Sequence, residues 1–442
     1  MDSCSSLFQR IGSIFDEYKG MPREANLLIY SSFFNWAAAG LFFSSLQVFL
    51  LLEGISFATS SLILGVYGIT SGLSAIVFGG LASRYGKKKF VVGGGVLAGL
   101  ALALFGLDAN VSHLFGVAVI VGLSEAMYAS SSGAMLADKA GNSKRTSAFG
   151  LSFLVATISA AIGGFSAGLL DLMKLFYNID LVTGNRYLFV GVAAVSLLGP
   201  AIIYFKISES KITTGEQSEF HLLPRKGRGR DIVFRFAIAG VIIAVGAGLV
   251  IPLVGGWALL KYGLANDVTG PIFGGVNSLV MGLANLAVPW LARRFGTVRL
   301  IVLTQGSSTV FLFSMPFSPN FASASAIFIV RSALMMMSNP AQNSLLMGLV
   351  PPEERAVASG VVASLWRLPN SLSTGLGGYI MGLSIGPNHV VNPNSIYLAL
   401  PFLICTALYL TAITYFWRSF KDVRLPEEQI LAPMAEAVPA TT

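Results

Sequence analysis

Residues 81–89 read LASRYGKKK, and residues 291–299 read LARRFGTVR. Leu81, Ala82, Arg84 and Gly86 recur as Leu291, Ala292, Arg294 and Gly296, each 210 positions later. Two other blocks share that offset: Arg145 and Gly150 with Arg355 and Gly360, and Gly168 with Gly378. One offset in three separate blocks marks an internal repeat. The chain therefore reads as two copies of one unit. Each quoted stretch is a short, glycine-bearing, basic turn set between two long apolar runs.

The rest of the composition says what those runs are. Hydrophobic residues make up 54% of the 442 and charged residues only 11%, against about 25% charged in a soluble domain. There are too few charges to coat a globular surface of this size, so lipid is the solvent for most of the chain. The net charge of +8 then reads as Lys and Arg kept on the cytoplasmic side, and no nucleic-acid partner is expected. Cys4 and Cys405 lie near opposite ends of the chain, which does not suggest a disulfide framework. The first apolar run begins near Asn26. It is longer than a signal-peptide core and lacks a small-residue cleavage site. Before it, LFQRIGSIFDEY (7–18) spaces Leu7, Phe8, Ile11, Ile14 and Phe15 as on one helix face, the pattern of a short helix lying on the inner membrane surface.

A span needs about 20 mainly apolar residues. Twelve such runs are found, at roughly 26–52, 59–82, 88–107, 112–137, 146–171, 186–206, 235–261, 268–292, 298–316, 321–349, 355–384 and 395–417. They show no alternation of polar and apolar residues, which excludes a barrel. With both termini cytoplasmic, 24 of the 29 basic residues fall inside, only Lys174, Arg186 and Lys261 fall outside, and Arg331 and Arg367 lie within spans. The polar stretch 208–231 separates spans six and seven. The expected organisation is a cytoplasmic segment 1–25, a six-helix bundle 26–207, a cytoplasmic linker 208–232, a second bundle 233–418 and a cytoplasmic tail 419–442. Six is even, so the two bundles share one orientation: an all-α membrane protein of twelve transmembrane helices in two parallel repeats.

At this point the sequence resembles a family. Gly79, Leu81, Ala82, Arg84, Gly86, Lys87 and Lys88 resemble the loop between helices two and three of the major facilitator superfamily. VPPEERAVASG (350–360) looks like that family's loop after helix ten. The resemblance covers residues 25 to about 418. It implies a secondary transporter working by alternating access in the plasma membrane, with a small-molecule substrate, a monomeric chain, no enzymatic activity and no cofactor. It also implies a cytoplasmic gate. Gly79, Arg84, Gly86 and Asp138 in the first half, with Arg294 and Gly296 in the second, are its candidates. Arg84 at the membrane edge calls for a carboxylate, and Asp138 is the nearest by topology. Ser83 stands where the family has Asp, Arg293 stands at the position of Ser83 in the second half, and Gly348 at that of Asp138. The second gate is therefore expected to be weaker.

An ionisable group in the bilayer core is costly and points to function. Of the 21 acidic residues only Glu125 lies deep in a span, and His113, His221 and His389 all lie in loops. Glu125 is thus the candidate for proton coupling, and permanent pairing with an Arg is the alternative. Arg331 and Arg367 keep their charge and need an anionic or carbonyl partner, which leaves Glu125, a substrate anion or helix carbonyls. The family's Arg of helix four is absent, with Val121 in its place and Arg331 at the repeat-equivalent position. Asn35, Trp36, Tyr67, Tyr128, Asn277, Asn339, Trp366 and Asn370 complete the candidate cavity set, with Gln47 at a similar depth. Helix–helix hydrogen bonding is the plainer role for any one of them. The pairs Gly68/Gly72, Gly95/Gly99, Gly164/Gly168 and Gly378/Gly382 have the spacing that lets membrane helices approach closely.

GGGVLA (93–98) lies inside a span with no preceding strand, so it is no dinucleotide site. There is no Walker loop and no Cys/His metal spacing. Span five, TISAAIGGFSAGLLD (157–171), lacks the Gly-Pro pair of the family's drug antiporters. One acid, two bases, several amides and many Phe and Met suit an amphipathic, drug-like or anionic organic solute. Efflux is the expected direction. A lipid translocator on the same fold and a non-transporting receptor are the alternatives.

Overall fold

The computed structural model describes residues 20–107, 110–209, 228–285, 287–349, 355–386 and 390–423. The amphipathic segment 7–18, most of the linker, residues 350–354 and the end of the tail lie outside the described residues.

The described chain is helical apart from short turns and one isolated antiparallel bridge between Ile385 and Val391. Twelve rods run in order. They are α1 (Arg23–Leu52), α2 (Phe57–Tyr85), α3 (Lys87–Leu107), α4 (Val111–Gly141), α5 (Ala148–Tyr177), α6 (Leu181–Lys206), α7 (Arg230–Tyr262), α8 (266–295), α9 (Thr297–Phe317), α10 (Phe321–Leu349), α11 (Arg355–Gly382) and α12 (Ile396–Phe420). Ten are long and apolar enough to cross a membrane. The other two have visible reasons to fall short. α8 is interrupted, with π-helical turns at Pro271–Val276 between α-helical pieces. α11 carries Arg367, Asn370 and several hydroxyl side chains.

Glycine and small polar residues set the ends. Gly141 (φ 71) is non-helical and kinks the chain between α4 and α5, and Asp180 caps α6 by accepting from the Thr183 amide at 3.0 Å. The repeat is visible in the backbone. Gly86 (φ 105) closes α2 by donating its amide to Ala82 O at 3.1 Å, and Gly296 (φ 81) closes α8 by donating to Ala292 O at 2.9 Å. Only glycine takes such φ values without strain. Arg84 lies 5.6 Å over the Tyr85 ring, and Arg294 lies 5.7 Å over Phe295.

Each small-residue pair faces a neighbouring helix. Gly68 and Gly72 meet α11, Gly378 and Gly382 meet α2, Gly95 and Gly99 meet α6, and Gly164 and Gly168 meet α8. Lipid gives helices little hydrophobic reason to associate, so close van der Waals packing must hold them. The two halves meet along α2–α11, α5–α8 and α1–α7. Among the described residues these approaches run from Ala58/Gly382 to Gly72/Arg367, from Gly168/Pro271 to Thr157/Gly282, and through Val48/Gly255. They lie at mid-helix or toward the end remote from both termini. Asn185 on α6 and Asn266 on α8 add reciprocal amide hydrogen bonds there, at 3.3 and 2.6 Å.

Candidate substrate cavity

A cavity of about 320 Å³ runs through the first half from the level of Leu28 and Leu136 to the rings of Phe42, Phe43 and Tyr67. Its walls come from α1, α2, α3, α4 and α5, and α11 of the second half contributes Arg367. Most of the lining is apolar or aromatic. Ser32, Asn35, Ser124, Ser132 and Ser152 add hydroxyls and an amide, and Glu125 with Arg367 supplies the charge.

The charged site is built by glycines. A Cβ on Gly122 of α4 would lie 2.6 Å from the Tyr67 carbonyl oxygen and 2.7 Å from Thr70 Cβ. Its absence lets α4 press directly on α2, one turn before Glu125. Tyr67 and Ser71, a helical turn apart on α2, then both reach the carboxylate. Tyr67 donates its hydroxyl to Glu125 Oε2 at 2.6 Å, and Ser71 Oγ donates to the same oxygen at 2.9 Å. Gly72 performs the same task toward α11, with Arg367 Cβ at 3.4 Å. Arg367 Nη2 then donates to Glu125 Oε1 at 2.8 Å, and Nη1 donates to Ser71 Oγ. Every oxygen of Glu125 is engaged, and one of its partners comes from the opposite half of the molecule. Both side chains keep partial exposure, 29% for Glu125 and 37% for Arg367, because they form part of the cavity wall.

Of the residues singled out in the sequence, Asn35, Trp36, Tyr67, Glu125, Tyr128 and Arg367 line this cavity. The others fall elsewhere. Arg331 is buried in the second half, where Nη2 donates to the Tyr409 hydroxyl at 2.9 Å and the guanidinium lies 5.7 Å over that ring. Between the two arginines open to Glu125 in the sequence, Arg367 takes it. Asn277 donates to Met281 Sδ at 3.8 Å, and Asn339 donates to Met336 Sδ at 3.3 Å. Asn370 donates to Ala244 O of α7 at 3.2 Å. Trp366 is 38% exposed and lies outside the cavity lining. Gln47 donates to Ser61 Oγ on α2 at 3.1 Å. Residues not foreseen include Ser71 beside Glu125 and, in the lining, Ser32, Ser124, Ser132, Phe149 and Ser152. Only the four-residue spacing of Ser71 from Tyr67 could have signalled the first.

At the gate the structure shows a different ion pair from the one expected of an outward-facing latch. Asp138 pairs with Lys87 at 2.6 Å and not with Arg84, whose exposed guanidinium lies over Tyr85. The reason is geometric. Gly86 turns the chain so that Lys87 opens α3 beside the end of α4, while Arg84 stays on α2. The same turn brings in the end of α6. A Cβ on Gly86 would lie 2.8 Å from Glu209 Oε2. Glu209 accepts the Lys88 amide at 3.0 Å, and Lys88 Nζ donates to Tyr204 O at 2.8 Å. Lys139 donates to Glu24 and to Ser208 Oγ, both at 2.8 Å. Gly79 sits 3.9 Å from Ser130 Cβ of α4 by its would-be Cβ.

These features define a two-repeat membrane transporter fold with a cavity in its first half, closed on one side by Arg367 of the second. A sequence profile of the Major Facilitator Superfamily matches residues 28–374, and the chain belongs to that family. Solved structures of the same fold include a bacterial homologue of the human lysosomal transporter Spinster in an inward-facing, occupied conformation. It has a TM-score of 0.74 at 14% identity, over 90% of this chain and 96% of that one. A mutant of the nucleoside transporter NupG gives 0.71 at 13% identity, over 90% and 100%. The human organic anion transporter TETRAN gives 0.62 at 14% identity, over 89% and 99%. A search of curated protein sequences finds no match.

Proposed function

We propose that this transporter is a secondary active carrier that exports a small amphipathic organic solute, drug-like or an anionic metabolite, coupled to protons by alternating access. It works as a monomer in the plasma membrane with both termini cytoplasmic, and not as an enzyme. The observation that carries this reading is the Glu125–Arg367 pair, which joins the two halves in the cavity wall. In that orientation the halves touch on the outer side, and the cavity belongs to an inward-facing state.

Guanidinium stays charged in any accessible pH range, so a proton can only enter on Glu125. Protonation would turn an ion pair that spans the halves into a neutral acid beside a lone cation. The halves then lose one of their mid-membrane ties, and Arg367 is released to take an anionic group of the solute. Tyr67 and Ser71 would hold Glu125 in place through both protonation states, since a hydroxyl can donate to a carboxylate or accept from an acid. The aromatic and aliphatic wall takes the apolar part of the solute. Neighbours described as carriers of nucleosides, peptides and organic anions fit an organic solute. Glu125→Gln in proteoliposomes should abolish transport driven by a pH gradient and spare downhill exchange. Unchanged pH-driven transport would refute the coupling role.

A further inference from the structure

We infer that a groove on the bilayer-facing surface of the first half, between α1, α5 and α6, is a binding site for a single-chain amphiphile with an anionic headgroup, drawn from the leaflet on the side of the termini. The groove has a volume of about 480 Å³ and an almost wholly apolar wall, made by Leu27, Tyr30, Phe33 and Phe34 of α1, Val155 and Ile158 of α5, and Ile202 of α6. The groove lies beside a close contact between two helices. α1 and α5 touch backbone to backbone where Gly40 meets Ala160 and Gly163 meets Ala37. Toward the termini larger side chains, Phe33 and Phe34 of α1 and Val155 of α5, replace these small ones and line the groove.

The occupant follows from what surrounds the groove. A lipid chain leaving the bilayer for an apolar groove gains little hydrophobic free energy, because lipid tails are as apolar as leucine. Selection must then come from shape and from the headgroup. One turn from Leu27 on the same face of α1 is Arg23, and one turn from Ile202 on the same face of α6 is Lys206. Both are exposed at the foot of the groove, and neither forms an ion pair among the described residues. The adjacent acid, Glu24, is already held by Lys139 and Ser208. Two cations at the end of a greasy trough suit an anionic headgroup with its chain lying along α1. From Arg23 to Phe34 the helix rises about 16 Å, room for roughly a dozen methylenes.

The groove also borders the cavity. Ile29, Ser32 and Asn35 of α1, with Phe149 and Ser152 of α5, face the cavity across the same α1–α5 seam. A bound amphiphile would lie one helix wall from Glu125 and Arg367. This rests on the proposed transport only for which solute the groove would deliver, and the groove's occupancy is tested separately.

The full-length protein in nanodiscs is irradiated with trace photoreactive oleate, and the labelled residues are mapped by mass spectrometry. Labelling should concentrate on 27–34, 155–158 and 202 and be competed by unlabelled oleate. Ile202→Trp, which fills the trough, should cut it at least fivefold. Arg23→Gln with Lys206→Gln should cut oleate labelling similarly while leaving photoreactive oleyl alcohol unchanged. Labelling spread evenly over the bilayer-facing helices, or equal loss for acid and alcohol in the charge variant, would overturn the site. Glu125→Gln should keep the groove labelling even if its transport phenotype contradicts proton coupling.

Discussion

The two halves are copies, yet their intramembrane charges differ: the deep acid, Glu125, lies in the first half, and Arg331 and Arg367 lie in the second. At the offset of 210, Tyr67, Ser71 and Glu125 correspond to Asn277, Met281 and Met335, and Arg367 corresponds to Thr157. The first set forms a carboxylate–guanidinium pair braced by two hydroxyls. Its counterpart is neutral: Asn277 reaches only the Met281 sulfur, and Thr157 packs on Gly282. The ends near the termini differ in the same way. In the first half, Lys87–Asp138, Lys139–Glu24 and Lys88–Tyr204 tie α1, α3, α4 and α6 by charge. In the second half, Phe236, Phe416 and Phe420 stack within 4.9–5.8 Å of one another. The repeated turn at Gly86 and Gly296 is retained while the chemistry around it has diverged. The fold needs the turn twice. The charged tie between the halves, Glu125 with Arg367, is made once.

The comparison can be broken most severely at Gly122. Its repeat counterpart is Ser332, so the second half does not require that backbone approach. Gly122→Leu should cost more than about 3 kcal/mol through overpacking and lower the melting temperature in detergent far more than Ser332→Ala. Next is the aromatic end. Phe420 is 2% exposed, and Phe420→Ala should cost about 3 kcal/mol with no dependence on salt. At the centre, a double-mutant cycle on Glu125→Gln and Arg367→Gln should give a coupling of about 2 kcal/mol in thermal unfolding, with each single variant worse than the double relative to additivity. Met335→Leu, at the neutral counterpart, should be nearly silent.

The tie between Lys87 and Asp138 is exposed, at 25% and 39%. Lys87→Met should therefore change stability by less than about 1 kcal/mol, and 0.5 M salt should erase the difference. The smallest effect is at Asp180. Its amide bonds to the α6 terminus hold its carboxyl below the ordinary 3.8. The cap contributes fully above pH 4 and is lost as pH falls through the lowered value. Unfolding of the wild type at pH 3 should show this loss, while Asp180→Asn, which caps without titrating, should not.

Much of this was legible in residues. Glu125 stood out because no other acid lies deep in a span, and each Gly-xxx-Gly pair met a helix neighbour as its spacing implied. The wall α1 and α2 lend to the cavity was read through Asn35, Trp36 and Tyr67. A polar residue that can face either way is not legible in the sequence. Asn370 and Asn277 have the same depth as Asn35, but depth along a helix says nothing about rotation around it. Asp138 meets Lys87 here, because the register of a positive-φ turn decides which of four neighbouring cations reaches across.

The sequence by itself determined the twelve rods, the two parallel repeats and the presence of one deep acid. These follow from hydropathy, charge placement and a fixed offset, which are properties of residues in order. Only the tertiary structure decided that Glu125 meets Arg367 and not Arg331, that Ser71 joins them, and that the cavity lies largely in the first half. Those outcomes depend on how closely three helices approach at Gly68, Gly72 and Gly122. That approach joins α4 to the α2 backbone at Tyr67 and α2 to the α11 side chains of Arg367, Leu368 and Ser371, which lie far apart in the chain.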